Sequence, residues 1–268
     1  MPATKALLKD NDNGQTRMRK WMTLVAGFRC RNGGILLCAD REETDGYSKR
    51  PVDKIYRISH SQCQVFIAGS GATSIIAKAC EAIHESFLQA ASNGIDLVAE
   101  HKDLLESALK SVYEKYVHIH QNYYDYEIGL IIVVAPMLQS SEPLLYKTES
   151  SMLVSQYLYA TEGSGKTIAD YLTDRLYKHG ITRSALAVLA AFIFRESEDS
   201  TVGVGSGMDM VFIFDGDRSF QYVGDNMIHE LKSCIPTLQT AIYSCWQSQP
   251  TVPETLVKNL DVPLPPST

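Results

Sequence analysis

The chain has 268 residues, enough to bury a full hydrophobic core, and its content of 45% apolar and 21% charged residues is ordinary for a globular protein. A formal net charge of −6 argues against sequence-independent binding to DNA or RNA, because that binding depends on Lys and Arg neutralising phosphates. No segment approaches the length of a membrane-spanning helix, and residues 1–21 lack the apolar stretch of a secretory signal. We therefore expect a cytoplasmic protein with no nucleic acid or membrane partner.

The first half of the chain alternates short apolar runs with two long helical patterns. The runs TLVAGFRC, which starts at Thr23, and ILLCAD, which ends at Asp40, flank a turn and predict a pair of strands. A third apolar strand, QVFIAG, ends at Gly69. Two helices are predicted after it, the first ending at residues 93–94 and the second covering about 96–118.

The second half repeats this order. Strands IGLIIVVAP and, after a loop, SQYLYAT precede two helices at 165–178 and about 182–195, and strands MDMVFIFD and RSFQYV precede a helix at 227–246. This order predicts two sheets packed face to face with helices outside, in one domain over residues 23–247. Residues 248–268 include many prolines and are predicted to form a tail.

One segment resembles a phosphate-binding loop. ATEGSGKT, from Ala160 to Thr167, fits the pattern [AG]-x-x-x-x-G-K-[ST], and the run VFIFD ending at Asp215 could supply a Mg²⁺ ligand. Against this interpretation, position 160 is Ala rather than the commoner Gly, and a parallel nucleotide-binding sheet needs repeated β–α crossovers before and after the loop. A P-loop NTPase is kept as an alternative.

Several motifs, in order, resemble those of a known family. MTLVAGFRCRNGGILLCADREETDG, DKIYRI and VFIAGSGATS are similar to the proteasome β-type branch of the N-terminal nucleophile (Ntn) hydrolases, in particular to its smaller bacterial members, and the likeness runs from Thr23 to about Asp215. The resemblance implies an α+β fold, a four-layer αββα sandwich of two mainly antiparallel sheets.

The resemblance also implies a nucleophile and two charged partners. Thr23 matches the family's N-terminal threonine, whose α-amine serves as the local base for its hydroxyl, since an α-amine titrates near neutrality. Lys54 matches a lysine whose charge lowers the hydroxyl's pKa, and Asp40 matches an acidic residue that holds this ammonium in place and charged. Without the other motifs, an Asp and a Lys in this arrangement would be interpreted as an ordinary salt bridge.

Three further residues are assigned by the same resemblance. Gly69 would offer a backbone N–H to the oxyanion, and Ser164, in the GSG turn, would bond near the Thr23 amine. Asp199, with Glu198 as a competitor, would be the acidic residue expected after the fourth helix, and the serine that accompanies it in the family could be Ser200 or Ser206, or be absent.

The substrate side pocket is likewise carried over from the family. Its residues in this chain would be Val52, Tyr56, Ile67 and Gly71. This lining favours apolar side chains at the cleavage site, although neutral amides that are not peptides also fit it.

Met22 stands where self-cleaving family members usually carry Gly, which places autolysis in doubt. If translation starts at Met22, removal of the initiator Met would expose Thr23 directly. Residues 1–22 are otherwise expected to be a leader removed by another route.

The sequence therefore predicts a threonine-type peptidase or amidase that acts on a peptide or protein substrate and forms a homo-oligomer or ring. A catalytically silent ring subunit is the main alternative, and nothing in the sequence indicates an ATPase partner. No metal or cofactor is expected, because the six cysteines are scattered without a C-x-x-C pair and are interpreted as buried free thiols.

Overall fold

A computed structural model describes residues 23–31, 33–44, 49–137, 141–201, 203–214 and 220–247. The expected leader (1–22), the expected tail (248–268) and the proposed Mg²⁺ ligand Asp215 lie outside these ranges.

The described strands form two five-stranded sheets in which every pairing is antiparallel, together with a short hairpin. The first sheet contains, in spatial order, β10 (Tyr159–Gly163), β1 (Leu24–Arg29), β2 (Ile35–Asp40), β11 (Met208–Ile213) and β12 (Phe220–Tyr222). The second contains β5 (Ile55–Ser59), β6 (Cys63–Gly71), β7 (Ile128–Pro136), β8 (Leu144–Glu149) and β9 (Met152–Ser155). The hairpin pairs β3 (Glu42–Thr44) with β4 (Lys49–Pro51).

Helices cover the outer face of each sheet. They are α1 (Thr73–Ser92), α2 (Leu97–Val112), α3 (Lys166–Leu176), α4 (Arg183–Ser200) and α5 (Asp225–Gln247). The backbone continues beyond α2 as one π-helical turn over Tyr113–Val117. Within the described ranges, no helix has both the length and the apolar character needed to cross a lipid bilayer.

Three apolar clusters hold the layers together. One lies between α1, α2 and the second sheet, another between the first sheet and α3, α4 and α5, and the third lies between the two sheets. The third cluster forms because alternate residues of each strand point to opposite faces, so Leu37 of β2 faces the other sheet while Cys38 faces the helices. The result is the predicted αββα sandwich.

Most predicted elements are present, the strands β3, β4 and β5 were not predicted, and two further differences have a local cause. β8 and β9 form a hairpin in a stretch predicted as loop, because polar residues interrupt their short apolar pattern. α4 continues to Ser200, beyond its predicted end near 195, because Arg195 forms ion pairs one turn onward with Glu198 and Asp199.

Most of the cysteines that the structure describes are buried thiols, as predicted. Cys30, Cys38, Cys63 and Cys80 are buried and form no disulfide, whereas Cys234 on α5 is exposed. Burial disfavours the thiolate and raises the pKa of Cys63 to about 11 and that of Cys80 to about 12.

The cluster between the sheets should contribute strongly to stability. Leu37 is fully buried in it, so Leu37→Ala is expected to lower the free energy of unfolding by about 2–5 kcal/mol through lost burial and a residual cavity. Equilibrium urea unfolding followed by circular dichroism measures this loss. Leu88→Ala on α1, where the side chain is 50% exposed, is the matched control and should change stability by less than about 0.5 kcal/mol.

Candidate active site

Strand pairing brings Thr23, Asp40 and Lys54 to one end of the sandwich. Thr23 immediately precedes β1 and Asp40 ends β2, and the register Val25↔Ala39 of these antiparallel strands makes the two residues neighbours. Lys54 immediately precedes β5 and reaches the pair from the second sheet. The site therefore depends on both sheets.

The Lys54 ammonium is the centre of this group. Its Nζ lies 2.7 Å from Thr23 Oγ1, 2.9 Å from Asp40 Oδ1 and 2.6 Å from the Glu42 carbonyl oxygen, so each of its three N–H groups has an acceptor. The Thr23 hydroxyl in turn donates to Asp40 Oδ1. The Lys54 side chain is 12% exposed, Asp40 is fully buried and Thr23 is 4% exposed. Low exposure strengthens these contacts, because little water competes for them.

Backbone donors fix the Asp40 carboxylate. The Leu24 N–H donates to Oδ1 at 2.9 Å, and the Gly205 N–H donates to Oδ2 at 3.1 Å. Gly205 belongs to the loop between α4 and β11, in which Ser206 was a candidate but no backbone donor was predicted. The glycine-rich run VGVGSG was the only available signal, because a backbone donor leaves no signature in residue type.

The GSG turn encloses Thr23 rather than a phosphate. Thr23 N–H donates to Ser164 Oγ at 3.2 Å, Ser164 Oγ donates to the Thr23 carbonyl at 3.2 Å, and Gly165 N–H approaches the same carbonyl at 3.3 Å. Gly163 has a φ of +104°, and a Cβ at that position would lie 2.2 Å from the Thr23 carbonyl oxygen. Only glycine permits this approach.

The phosphate-loop interpretation of this turn fails on topology. Both flanking strands pair antiparallel, β10 with β1 and β11 with β2, whereas a nucleotide-binding P-loop belongs to a parallel sheet. Lys166, the lysine of the motif, contacts Asp170 one helical turn later at 2.8 Å. The P-loop alternative is therefore wrong.

Gly69 lies near the end of β6, an inner strand of the second sheet, where it pairs in register with Leu130 of β7. A Cβ at Gly69 would lie 2.7 Å from Ile76 of α1, so packing alone requires a glycine here. Its function as an oxyanion donor stays a prediction.

The structure does not bring Asp199 to this group. Asp199 lies within α4 rather than after it, accepts from Arg195 Nε at 3.0 Å, and its side chain is 50% exposed. Its competitor Glu198 pairs with Arg195 and Lys232. The prediction that this acidic residue follows the fourth helix is therefore wrong, because the helix extends through it.

The four residues predicted to line a substrate pocket have different environments. Val52 is partly exposed beside the site, with its N–H bonded to the Arg41 carbonyl at 2.9 Å. Tyr56 and Ile67 are register partners on β5 and β6, but Ile67 is fully buried under the helices and presents no surface to a substrate. Gly71 ends β6 with a φ of +118°. Their part in substrate binding stays a prediction.

Two antiparallel sheets between two helix layers, with a threonine at the start of the first strand, define the Ntn hydrolase fold. The model of the proteasome subunit family matches residues 23–213, and the chain belongs to that family.

Solved structures with this fold include three Anbu proteins. The structure is similar to Anbu (ancestral beta-subunit) from Yersinia bercovieri, with a TM-score of 0.67 and 13% identity over 86% of this chain and 98% of the other. Anbu from Hyphomicrobium sp. strain MC1 gives the same score and identity over 86% and 99% of the two chains. The helical assembly of the Anbu complex from Pseudomonas aeruginosa also gives 0.67 and 13%, over 87% and 99%. A search of curated protein sequences found no match.

The Gly205 loop should tolerate no side chain. A Cβ on Gly205 would lie 1.9 Å from Glu42 Cβ and 2.9 Å from Asp40 Oδ2, so Gly205→Ala must displace the loop. We expect it to lower the free energy of unfolding by about 1–3 kcal/mol, measured by urea denaturation. Gly224→Ala, which meets no atom within 4 Å, is the control. Equal stability of the two variants would contradict the prediction.

Proposed function

We propose that this chain is a threonine-type amide hydrolase of the proteasome β type, with Thr23 as its nucleophile. The observation that carries the proposal is the contact of one ammonium, Lys54 Nζ, with both Thr23 Oγ1 and Asp40 Oδ1. A positive charge 2.7 Å from a hydroxyl oxygen favours the alkoxide that attacks an amide carbonyl. Asp40 holds that charge in place, since it has no freedom to reorient between its four donors.

The reaction would proceed in two stages. Thr23 Oγ1 attacks the substrate carbonyl while its proton passes to a local base, and the resulting oxyanion is stabilised by backbone N–H groups, for which Gly69 is our candidate. Collapse of the tetrahedral intermediate expels the amine, which receives a proton, and leaves an ester on Thr23. Water then hydrolyses this ester and regenerates the hydroxyl.

The local base would be the α-amine of Thr23 itself. In the 268-residue chain this nitrogen is an amide joined to Met22, and an amide nitrogen has no basic lone pair. Activity therefore requires cleavage of the Met22–Thr23 bond. Ser164 Oγ, 3.2 Å from this nitrogen, would then orient the free amine through a hydrogen bond.

The main competing function is a non-catalytic subunit of an assembly. Against it, the Lys54 ammonium has all three of its N–H groups directed at the threonine hydroxyl, the aspartate and a carbonyl. Burying a lysine and an aspartate costs stability, and an ordinary structural role does not call for a hydroxyl between them. The observation thus favours the catalytic form.

The remaining parts of the proposal concern setting and assembly. We propose that residues 23–247 act as one hydrolase domain in the cytoplasm, on peptide or protein substrates. Because one related Anbu complex is described as a helical assembly, we also propose that this chain forms a homo-oligomer. Size-exclusion chromatography with light scattering tests this last point.

The nucleophile assignment is tested with a chain expressed from Met22, from which removal of the initiator Met exposes Thr23. Thr23→Ala should abolish hydrolysis of a fluorogenic peptide because it removes the attacking oxygen, whereas Thr23→Ser should retain part of the activity. Intact mass measurement verifies that Thr23 is the first residue. Turnover by a correctly processed Thr23→Ala protein at the wild-type rate would refute the assignment.

The GSG turn offers a matched pair of substitutions. Ser164→Ala should lower kcat by about fivefold or more, because it removes a bond to the Thr23 nitrogen worth about 1 kcal/mol when neutral and more when the amine is charged. Lys166→Ala, two residues later, removes a contact with Asp170 whose members are about one third exposed and two long contacts of 3.5 Å with Thr161, and it should leave kcat unchanged. Equal losses in both variants would contradict this function of the turn.

A further inference from the structure

Two charged side chains pair across the two sheets, beside a cluster of apolar residues. Lys147 on β8 and Glu162 on β10 form an ion pair of 2.7 Å from Nζ to Oε1, and each side chain is only about one fifth exposed, at 20% and 19%. Their register partners Ile131 and Val25 belong to the apolar cluster between the sheets. The pair therefore joins the first sheet to the second at the edge of that cluster.

An ion pair in this position is a poor way to gain stability. Removing two charges from water costs several kcal/mol, and their attraction offsets this cost only when the geometry is good. Burial lowers the pKa of Lys147, but the hydrogen bond and the charge of Glu162, with smaller contributions from Lys166 and Glu149, together raise it, so its net pKa lies above the ordinary value and the ammonium remains charged. The pair calls for an explanation other than simple packing.

The position of the Lys147–Glu162 ion pair relative to the active site supplies an explanation. Glu162 precedes Gly163 and Ser164, the two residues that enclose Thr23. On the other sheet, a Cβ at Gly129 would lie 2.9 Å from Glu162 Oε2 and 3.1 Å from Ser70 Oγ, so the carboxylate and Ser70 both border the same glycine.

Ser70 connects this contact to the substrate side of the site. It is buried, pairs in register with Gly129 and directly follows Gly69 on β6. In sequence, Glu162 is thus adjacent to the GSG turn that encloses Thr23. In space, it lies near the end of β6, which carries Gly69, the candidate oxyanion donor. One carboxylate borders both parts of the site.

We propose that Glu162 and Lys147 are positioning residues, whose ion pair fixes the distance between the GSG turn on β10 and the Gly69–Ser70 segment on β6. This inference rests on the proposed function, since it assigns those two segments to the nucleophile and to the oxyanion. The pair touches neither Thr23 nor a substrate in this arrangement, so it acts on the reaction through the backbone of both segments.

The experiment compares Glu162→Gln, Lys147→Met and the double variant, each processed so that Thr23 is the first residue and each assayed at a temperature where circular dichroism shows it fully folded. Each should lower kcat for a fluorogenic peptide by about tenfold or more with little change in KM, because small displacements of catalytic groups are costly. The double variant should lose no more than either single variant, because both remove the same interaction.

The double variant is the most informative of the three. It leaves no unpaired charge between the sheets, so it folds even if a single variant does not. The control is Lys78→Met, which breaks the exposed ion pair with Glu81 on α1 and should leave kcat unchanged. A purely structural ion pair would lower the melting temperature and leave kcat of the folded protein intact, and that result would overturn the proposal. Losses that multiply in the double variant would overturn it too.

A second measurement does not depend on activity. Hydrogen–deuterium exchange in the double variant should accelerate in peptides that contain residues 69–71 and 163–165, and not in the Lys78→Met control. If the wild-type chain hydrolyses no peptide, the proposed function fails while exchange still tests the positioning of the two segments. Unchanged exchange in both segments would refute the positioning proposal whatever the wild-type activity.

Discussion

The arrangement of the site depends on one ammonium group. Lys54 Nζ bonds a hydroxyl from the residue before β1, a carboxylate from the end of β2 and a carbonyl from the hairpin strand β3. Lys54 precedes β5 of the other sheet, so all three of its bonds form only when the two sheets are stacked in the correct register. Packing of the apolar cluster between the sheets is therefore a precondition for the chemistry, and the site cannot assemble on one sheet alone.

The residues at this centre could be predicted because the family resemblance identifies them by side-chain type and by their order along the chain. A threonine before an apolar strand, an aspartate ending the next strand and a lysine before a third lie in a fixed order along the chain, and Ser164 is marked by its glycines. The backbone groups that complete the site, the Leu24 and Gly205 N–H and the Glu42 carbonyl, were not predictable. Any residue can supply such a group, so only the path of the chain decides which one does.

The expected position of Asp199 was wrong because of a local contact. The family resemblance placed Asp199 after the fourth helix, but its pairing with Arg195 four residues earlier favours continuation of the helix. Ile67, assigned to the substrate pocket by the same resemblance, is fully buried in the cluster that packs against α1 and α2, and its part in substrate binding stays a prediction. Residue type alone does not give the direction of a side chain, which depends on where elements end and which face they bury.

The distribution of polar contacts between the sheets follows from what each kind of interaction can specify. Apolar packing is strong in sum but has little directional preference, so it holds the middle of the sandwich without fixing atoms to within tenths of an ångström. Hydrogen bonds and ion pairs are directional, and at the edges of the cluster they connect opposite sheets, through Lys54 with Thr23 and through Lys147 with Glu162. Both connections lie at the ends of β1 and β10 nearest Thr23, so directional contacts set the separation of the two sheets beside the proposed nucleophile, where apolar packing alone would leave that separation loosely defined.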